Sequence, residues 1–565
     1  MQGCLVITCG LFLLAEGGIG SSTAHDCELD VLVLGAGISG VKAGATLYEG
    51  GVRNFAVLEQ SQRIGGRMWN VQWHGQSIEL GANWIEGIPQ KEDPIWSIAQ
   101  EIGLQGNYTC QEGSDEEPLL YNSAGKLGTN ESLALHQRFA AAVSAAFAVS
   151  CQRHRAGLGD VSLREALSSV GWPAIKNQTP LERTLEFFVV DWDFQYPPDN
   201  VSLFNYFDVG KGTYEETCAG VKLKSRRAHR AVRMGMLDSF AWEPPRFFVT
   251  DPRGYAAVAQ HVAKPFLQDA TNLGTSRTSQ GKCPESRMLF NKTVVTIDYG
   301  DANNDRGVRV ETSDGSVYWA KHCILTFSAG VINAAVESGT LFRPALPEWK
   351  AGAFARIQNG VYTKIFLRFE TQFWDDADYI LFADSSRRGY YAVWQDMESH
   401  HKFFPKGSNI LLVTVVHEDS KRIEVQPTAQ TLEEVHAVLS NMYGPHIPRP
   451  LDVVVPKWHS DPSFRGSWSN IAVGTTVSDF RLLQKALGGL IFAGEATDQD
   501  FNGFVLGGYH SGERAAKHVL EALEKGSDAL VSEPSSLSPG MPAYLRSACL
   551  SHFPWSFCCS LPFFF

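Results

Sequence analysis

The run Asp30-Val-Leu-Val-Leu-Gly-Ala-Gly-Ile-Ser-Gly-Val-Lys-Ala-Gly-Ala45 constrains this chain more than any other stretch. An apolar segment ends in Gly35, Gly37 and Gly40, and a helical pattern follows. The spacing reads as a strand, a tight turn and a helix N-terminus. Gly35 permits the turn, Gly37 lets the backbone approach a pyrophosphate, and Gly40 lets helix and strand pack closely. The helix start then offers free N–H groups and a positive dipole end to phosphates. Glycine-rich turns are common, so the second half of the unit matters. Asn54 to Leu58 reads as the next strand, and Glu59 ends it about twenty residues past the glycines, where a carboxylate meets a ribose hydroxyl.

Directly after Glu59 comes Ser61-Gln-Arg-Ile-Gly-Gly-Arg67-Met. Gly65 and Gly66 let the chain turn close to a ligand, and Arg67 can place a charge on a phosphate. NAD sites do not usually need this second glycine-arginine element, whereas FAD sites do. The stretch from Gly35 to Arg67 therefore reads as a site for FAD. No cysteine lies near the Phe501–Phe504 loop, where a covalently attaching residue could sit, so the FAD is expected to be held non-covalently.

With 565 residues, 44% of them apolar, the chain can bury a large core and more than one domain. Its net charge of -12 argues against nucleic acid as a partner and is compatible with a cationic substrate. Residues 4–15 are nearly all apolar but too few to span a bilayer, and Ser22-Thr-Ala24 follows as a small-residue cleavage site. Residues 1–24 thus read as a secretory signal peptide, although no Lys or Arg precedes the apolar run. Sequons at Asn107, Asn130, Asn177, Asn200 and Asn291 fit a secreted glycoprotein, extracellular or in a cell wall. Nine cysteines follow Ala24 without a CxxC metal pattern, and their pairing cannot be deduced. No metal, no stable membrane span and a monomer are expected.

Helical periodicity appears around 131–150, 161–169 and 179–190, after Asp251-Pro-Arg-Gly-Tyr255, at 428–443 and from Gly503 to Glu524. Alternating patterns at 288–298, 307–312, 316–326 and 360–369 suggest strands, several antiparallel, with further strands at 451–457 and in Gly489–Glu495. Dinucleotide-domain strands scattered in this way imply interleaved domains. The expected fold is α/β, a Rossmann-like FAD-binding domain (28–106, 243–349 and 462–525) interleaved with an α+β substrate-binding domain (107–242 and 350–461). A basic insertion at 211–238 and a Ser/Pro-rich tail at 526–565 that ends in phenylalanines stand outside this pattern.

Three further stretches carry chemistry. In Glu79-Leu-Gly-Ala-Asn-Trp-Ile-Glu86-Gly, Gly81 and Ala82 are small enough to sit against a flat ring system. Trp84 and Glu86 are two apart and share a face of an extended chain, which makes a cation site. In Val361-Tyr-Thr-Lys364-Ile-Phe-Leu-Arg-Phe, Tyr362 and Lys364 share one face, and a lysine inside so apolar a strand is either paired or functional. Phe-Ala-Gly-Glu495-Ala-Thr and Phe501-Asn-Gly-Phe504-Val-Leu-Gly-Gly lead into the final helical pattern, whose N-terminus can again face a flavin.

Taken together, Gly35–Gly40, Arg67, ELGANWIEG, VYTKIFLRF, SSRRGYYAVWQ, GSWSN and FAGEAT resemble the flavin amine oxidases, specifically the plant-type secreted polyamine oxidases, from about Asp30 to Glu524. The resemblance implies that Glu59, Gly66, Arg67, Val294 and Glu495 contact FAD, with Trp458 near the flavin. It implies that Lys364 is catalytic, holding a water at the flavin, and that Trp84, Phe194, Tyr362, Trp468 and Phe504 line a substrate tunnel. Glu86 and Asp193 would flank its mouth. The family has glutamate at the position of Asp193, tyrosine at that of Phe504 and phenylalanine at that of Trp468, which bears on substrate placement.

The implied activity is FAD-dependent oxidation of spermine or spermidine at a carbon next to a secondary amine. It gives an aminoaldehyde, a shorter amine and hydrogen peroxide, with O2 as acceptor. A tunnel with aromatic walls and an acidic mouth suits a polycation that has methylene stretches. Alternatives are a flavin oxidase of another amine or amino acid, a chromatin demethylase relative, and a non-catalytic FAD-binding protein. The Glu86 motif, the signal peptide with its sequons, and Lys364 speak against these in turn.

Overall fold

The computed structural model describes residues 27–86, 93–109, 118–207, 246–268, 286–300, 307–399 and 403–525. The expected signal peptide, basic insertion and C-terminal tail lie outside the described residues.

The opening run forms strand β1 (Cys27–Leu34), helix α1 (Ile38–Glu49) and strand β2 (Phe55–Leu58). Strand β1 pairs in parallel with β2 on one side, Leu34 opposite Leu58, and with Val317–Leu325 on the other, Leu34 opposite Leu325. These are central strands of an eight-stranded sheet that also takes in Met288–Leu289, Val294–Asp298, Val308–Thr312, Phe342–Arg343 and, beside Val317–Leu325, Leu490–Phe492. Its apolar runs are continuous because both faces are covered. Val31 and Val33 pack with α1, Ala256–Gln268 and Val505–Lys525. Leu32 and Leu34, pointing the other way, pack with Ala329–Ser338, Glu348–Ala355 and Val477–Gln484.

A second, seven-stranded sheet runs in the order Asp452–Val454, Tyr362–Arg368, Ile410–Val416, Val393–Asp396, Tyr379–Phe382, Leu119–Asn122, Gly125–Lys126. Pro427 stands at the N-cap of the helix Thr428–Tyr443, which covers one face of this sheet. The helices Thr129–Arg155, Leu163–Ser169 and Pro180–Glu186 share a separate core with it. The stretch read as one strand over 288–298 is two short ones, because Asn291 adopts φ 59° between them. Cys151 is disulfide-bonded, and Cys323 is a buried free thiol. Among the described residues no helix is long and apolar enough to cross a membrane, and no cluster of metal-ligating side chains occurs.

Candidate active site

One cavity of about 720 Å³ joins the glycine turn to the second sheet; Gly35, Gly37, Glu59, Gly66, Arg67, Val294, Tyr362, Lys364, Trp458, Trp468, Glu495 and Phe504 all line it. At the glycine turn, Gly35 sits at φ +106°, and a Cβ on Gly40 would stand 1.9 Å from the Gly35 carbonyl oxygen, so close packing excludes any side chain there. Gly37 differs: a Cβ would meet only the Gly66 Cα, at 3.9 Å. The protein's own packing tolerates a side chain at Gly37, and the space glycine keeps open belongs to the cavity. That fits the close approach of a diphosphate.

Glu59 is anchored across the turn. Its carboxylate accepts from the Ala36 N–H at 2.8 Å and from the Ser61 N–H at 2.9 Å and hydroxyl at 2.7 Å. The N-termini of α1 and of Val505–Lys525 both reach the cavity wall, through Ile38 and Ser39 and through Phe504 and Val505. The helices are joined there by the Ser39 and Ser511 hydroxyls, 3.1 Å apart, and both hydroxyls accept from the Gly494 N–H. Two positive helix ends on one cavity suit a dianionic diphosphate. Arg67 donates to Glu495 at 2.8 Å and to the Ser467 carbonyl at 3.1 Å, while the other Glu495 oxygen accepts from the Gly503 N–H and the Ser469 hydroxyl. The two residues expected to meet the cofactor thus also brace one another.

Lys364 is 7% exposed, on the strand Tyr362–Arg368 opposite Thr414. Its ammonium donates to the Gly81 carbonyl at 2.6 Å, to Asn83 Oδ1 at 3.0 Å and to the Glu79 carbonyl at 3.4 Å. All three N–H groups have an acceptor, so holding a water requires one to turn away, and the long bond to Glu79 is the weakest. Burial pulls the Lys364 pKa down, against the opposing charge of Glu79. Burial likewise pushes the Glu79 carboxyl up, against the Tyr255 N–H and Lys364. One Glu79 oxygen accepts from the Tyr255 N–H and the other has no hydrogen-bond partner. Trp458, 3% exposed, donates to the Leu80 carbonyl at 3.1 Å and holds the same loop.

Tyr362 and Trp468 face each other with ring centroids 4.8 Å apart. The other expected substrate residues are placed differently. Trp84 packs edge-on against Phe248 at 4.8 Å and Phe403 at 5.6 Å and does not line the cavity. Phe194 does not line it either: it is fully buried and stacks on Tyr206 at 5.2 Å. From this segment the ring that meets Tyr362, at 6.0 Å and from outside the cavity lining, is Trp192, two residues earlier. The displacement has a local cause, a π turn over Phe187–Asp191 that puts an extra residue into the helix before this segment.

Glu86 is engaged by Arg246 at 3.0 Å. The pairing of Trp84 with Phe248 and Ile85 with Phe247 carries Glu86 opposite Arg246, a neighbour that no local motif announces. Asp193 is half-buried and makes no ion pair among the described residues. Neither carboxylate expected at the mouth lines the cavity, and one of them, Glu86, is already neutralised.

Residues 38–520 match the family described as flavin containing amine oxidoreductase. Polyamine oxidase 6 of Oryza sativa subsp. japonica is 32% identical over 509 residues, spanning 88% of this chain and 91% of that protein. Polyamine oxidase 1 of Zea mays is 32% identical over 504 residues, with coverage of 88% and 91%. A redesigned putrescine oxidase shares the fold at a TM-score of 0.60 and 19% identity, over 87% of this chain and 99% of that one.

Proposed function

Because the chain belongs to the flavin containing amine oxidoreductases, with FAD as its cofactor, we propose that it oxidises a polyamine of the spermine or spermidine type. The observation that carries this reading is the single cavity that joins the dinucleotide turn to Lys364, Tyr362, Trp468 and Phe504. FAD, when bound, supplies hydride acceptance from the carbon beside the amine nitrogen and returns the electrons to O2 as hydrogen peroxide. The chain's own residues do the rest. Gly37 and the two helix N-termini receive the diphosphate, Glu59 the ribose, and Gly81, packed against the Arg67 carbonyl, fixes the wall that Arg67 and Glu495 brace.

The amine to be oxidised must be neutral, since its lone pair drives loss of the hydride. The Lys364 cation on the cavity wall disfavours a second ammonium there. Lys364, with its lowered pKa, exchanges a proton at lower pH than an ordinary lysine does. Asp193 is the carboxylate that remains to hold a distal ammonium. Hydride loss beside a secondary amine leaves an imine, and water adds to its carbon and breaks the C–N bond, giving an aminoaldehyde and a shorter amine.

We extend the proposal to secretion. It is supported by the apolar run at 4–15 followed by Ser22-Thr-Ala24, and by sequons of which Asn130, Asn177, Asn200 and Asn291 are exposed and Asn107 is half-buried. The test is direct. Purified protein should be yellow, release its flavin into the supernatant on acid precipitation, and produce peroxide with spermidine or spermine. Flavin bleaching by neither polyamine under anaerobic conditions would overturn the substrate assignment.

A further inference from the structure

The motif Ser385-Ser-Arg-Arg-Gly-Tyr-Tyr-Ala-Val-Trp-Gln395 has no place in the chemistry above, yet the structure gives it a definite contact. The helix that begins at Pro180 is α-helical to Glu186, π-helical over Phe187–Asp191 and α-helical again over Trp192–Phe194. A π turn closes i→i+5 and is found mostly as a single inserted residue, often at functional sites. That residue rotates everything after it by about 100° relative to an uninterrupted α-helix. Without it, the segment Trp192-Asp193-Phe194 would present a different side chain to Tyr362.

Arg388 spans this turn. It forms an ion pair with Glu186 at 2.8 Å and donates, through Nε and Nη2, to both oxygens of Asp191 at 3.0 and 2.6 Å. Glu186 and Asp191 bracket the turn and are five residues apart, the separation that a π turn brings together and an α-helix does not. The neighbouring Gly389 adds an independent constraint. At φ +74°, a Cβ there would stand 2.2 Å from the Phe187 ring, so the loop can lie against the first π residue only as glycine.

Glu186 is wholly buried and further fixed by Arg164 at 2.6 and 2.7 Å, Trp172 at 2.7 Å and Gln178 at 2.7 Å. Buried ion networks contribute little net stability, and fixing register is their best-attested use. Past the turn, the helix ends at once: the Phe194 carbonyl accepts from Asn470 at 2.8 Å, and Gln195 is left-handed at φ 63°. The register is therefore held on both sides of Trp192 and Asp193.

We propose that Arg388 is a positioning residue that latches the π turn, so that Trp192 supports Tyr362 on the cavity wall while Phe194 is buried and Asp193 stays free of an ion pair. This rests on the polyamine reading for its kinetic consequence but not for its structural one, and the test separates the two. Arg388→Met and Arg388→Lys are prepared as the FAD-loaded enzyme. Lysine keeps the charge but lacks the planar fork that meets both Asp191 oxygens while pairing with Glu186. Two quantities are read: amide hydrogen exchange over residues 187–195, and KM and kcat for spermidine.

The latch predicts exchange at least about tenfold faster in that segment in Arg388→Met. It also predicts a rise of about tenfold in KM with kcat within about threefold of the parent, and a smaller shift in both for Arg388→Lys. Faster exchange with no polyamine turnover, even by the parent, would uphold the latch and sink the substrate reading. Unchanged exchange over 187–195 in Arg388→Met would overturn the latch. Should Arg388→Met lose FAD or fail to fold, Arg388→Lys decides, and parental exchange and parental KM there would overturn the proposal.

Discussion

The two ends of the cavity are held by different physics. At the cofactor end the constraint is steric contact with backbone. A Cβ on Gly40 would be 1.9 Å from the Gly35 oxygen, one on Gly81 1.8 Å from the Arg67 oxygen, and one on Gly512 2.0 Å from the Ser39 oxygen. Behind the wall of Tyr362 and Trp468, outside the cavity lining, the contacts are made by side chains and include ion pairs: Arg388 with Glu186 and Asp191, and Arg246 with Glu86. A backbone contact admits one geometry, whereas a side-chain pair can be altered one residue at a time. The first suits a cofactor whose shape never varies. The second suits a pocket whose contents differ among related enzymes.

Lys364 sits on the border, since it belongs to the second sheet and grips the Glu79–Asn83 loop of the first end. Its replacement gives the largest expected effect. Lys364→Met should slow flavin reduction or reoxidation by ~10²–10⁴-fold with FAD still bound, as loss of a proton-transfer group does. The sign of the pH effect follows from burial, which lowers the pKa. The ammonium is the form that grips the Glu79, Gly81 and Asn83 oxygens; its fraction falls, as pH rises, well before it would in an exposed lysine, so with the ammonium as the active form an alkaline decline in rate is expected in the parent and not in the variant. Stopped-flow rates within threefold of the parent for both half-reactions would make Lys364 a structural clamp alone.

Gly40→Ala probes the steric end. The inserted methyl meets a backbone oxygen that cannot give way, and a cost of about 3 kcal/mol corresponds to roughly hundredfold weaker FAD retention. Flavin content at parental levels after dilution and filtration would show that the turn is softer than its contacts imply.

The smallest effect distinguishes the two carboxylates. Sequence reasoning favours Glu86 as the stronger amine ligand, because its motif is intact and Asp193 is a methylene short. The ion pair with Arg246 reverses that order. Asp193→Asn should raise KM for spermidine by roughly tenfold, about 1–2 kcal/mol, and Glu86→Gln by less than about threefold. A larger KM effect from Glu86→Gln would mean that substrate displaces Arg246.

What the sequence discloses divides along the same line. The strand, turn and helix around Gly35–Gly40, Glu59 at the end of β2, and Lys364 on an apolar strand are legible because each depends on a few consecutive residues with a fixed period. The Glu86–Arg246 pair depends on strand register between distant segments, and Arg67–Glu495 joins residues 428 apart. Neither has a local signal. Phe194 is buried and Trp192 meets Tyr362 for a subtler reason: periodicity assumes a constant residue count per turn, and the π turn breaks that count just before them. The spacing of Glu186 and Asp191, five apart rather than three or four, is a trace of it that a purely α-helical reading passes over.

The hydroxyl bridge from Ser39 to Ser511 spans 472 residues. As the chain is synthesised, the glycine turn emerges early, but its second helix and the Gly494 amide arrive near the end. The nascent protein can therefore build most of its framework and still be unable to grip a dinucleotide. Cofactor capture becomes a late event in maturation, one that reports on the docking of the final helix and makes loaded flavin a marker of completed folding.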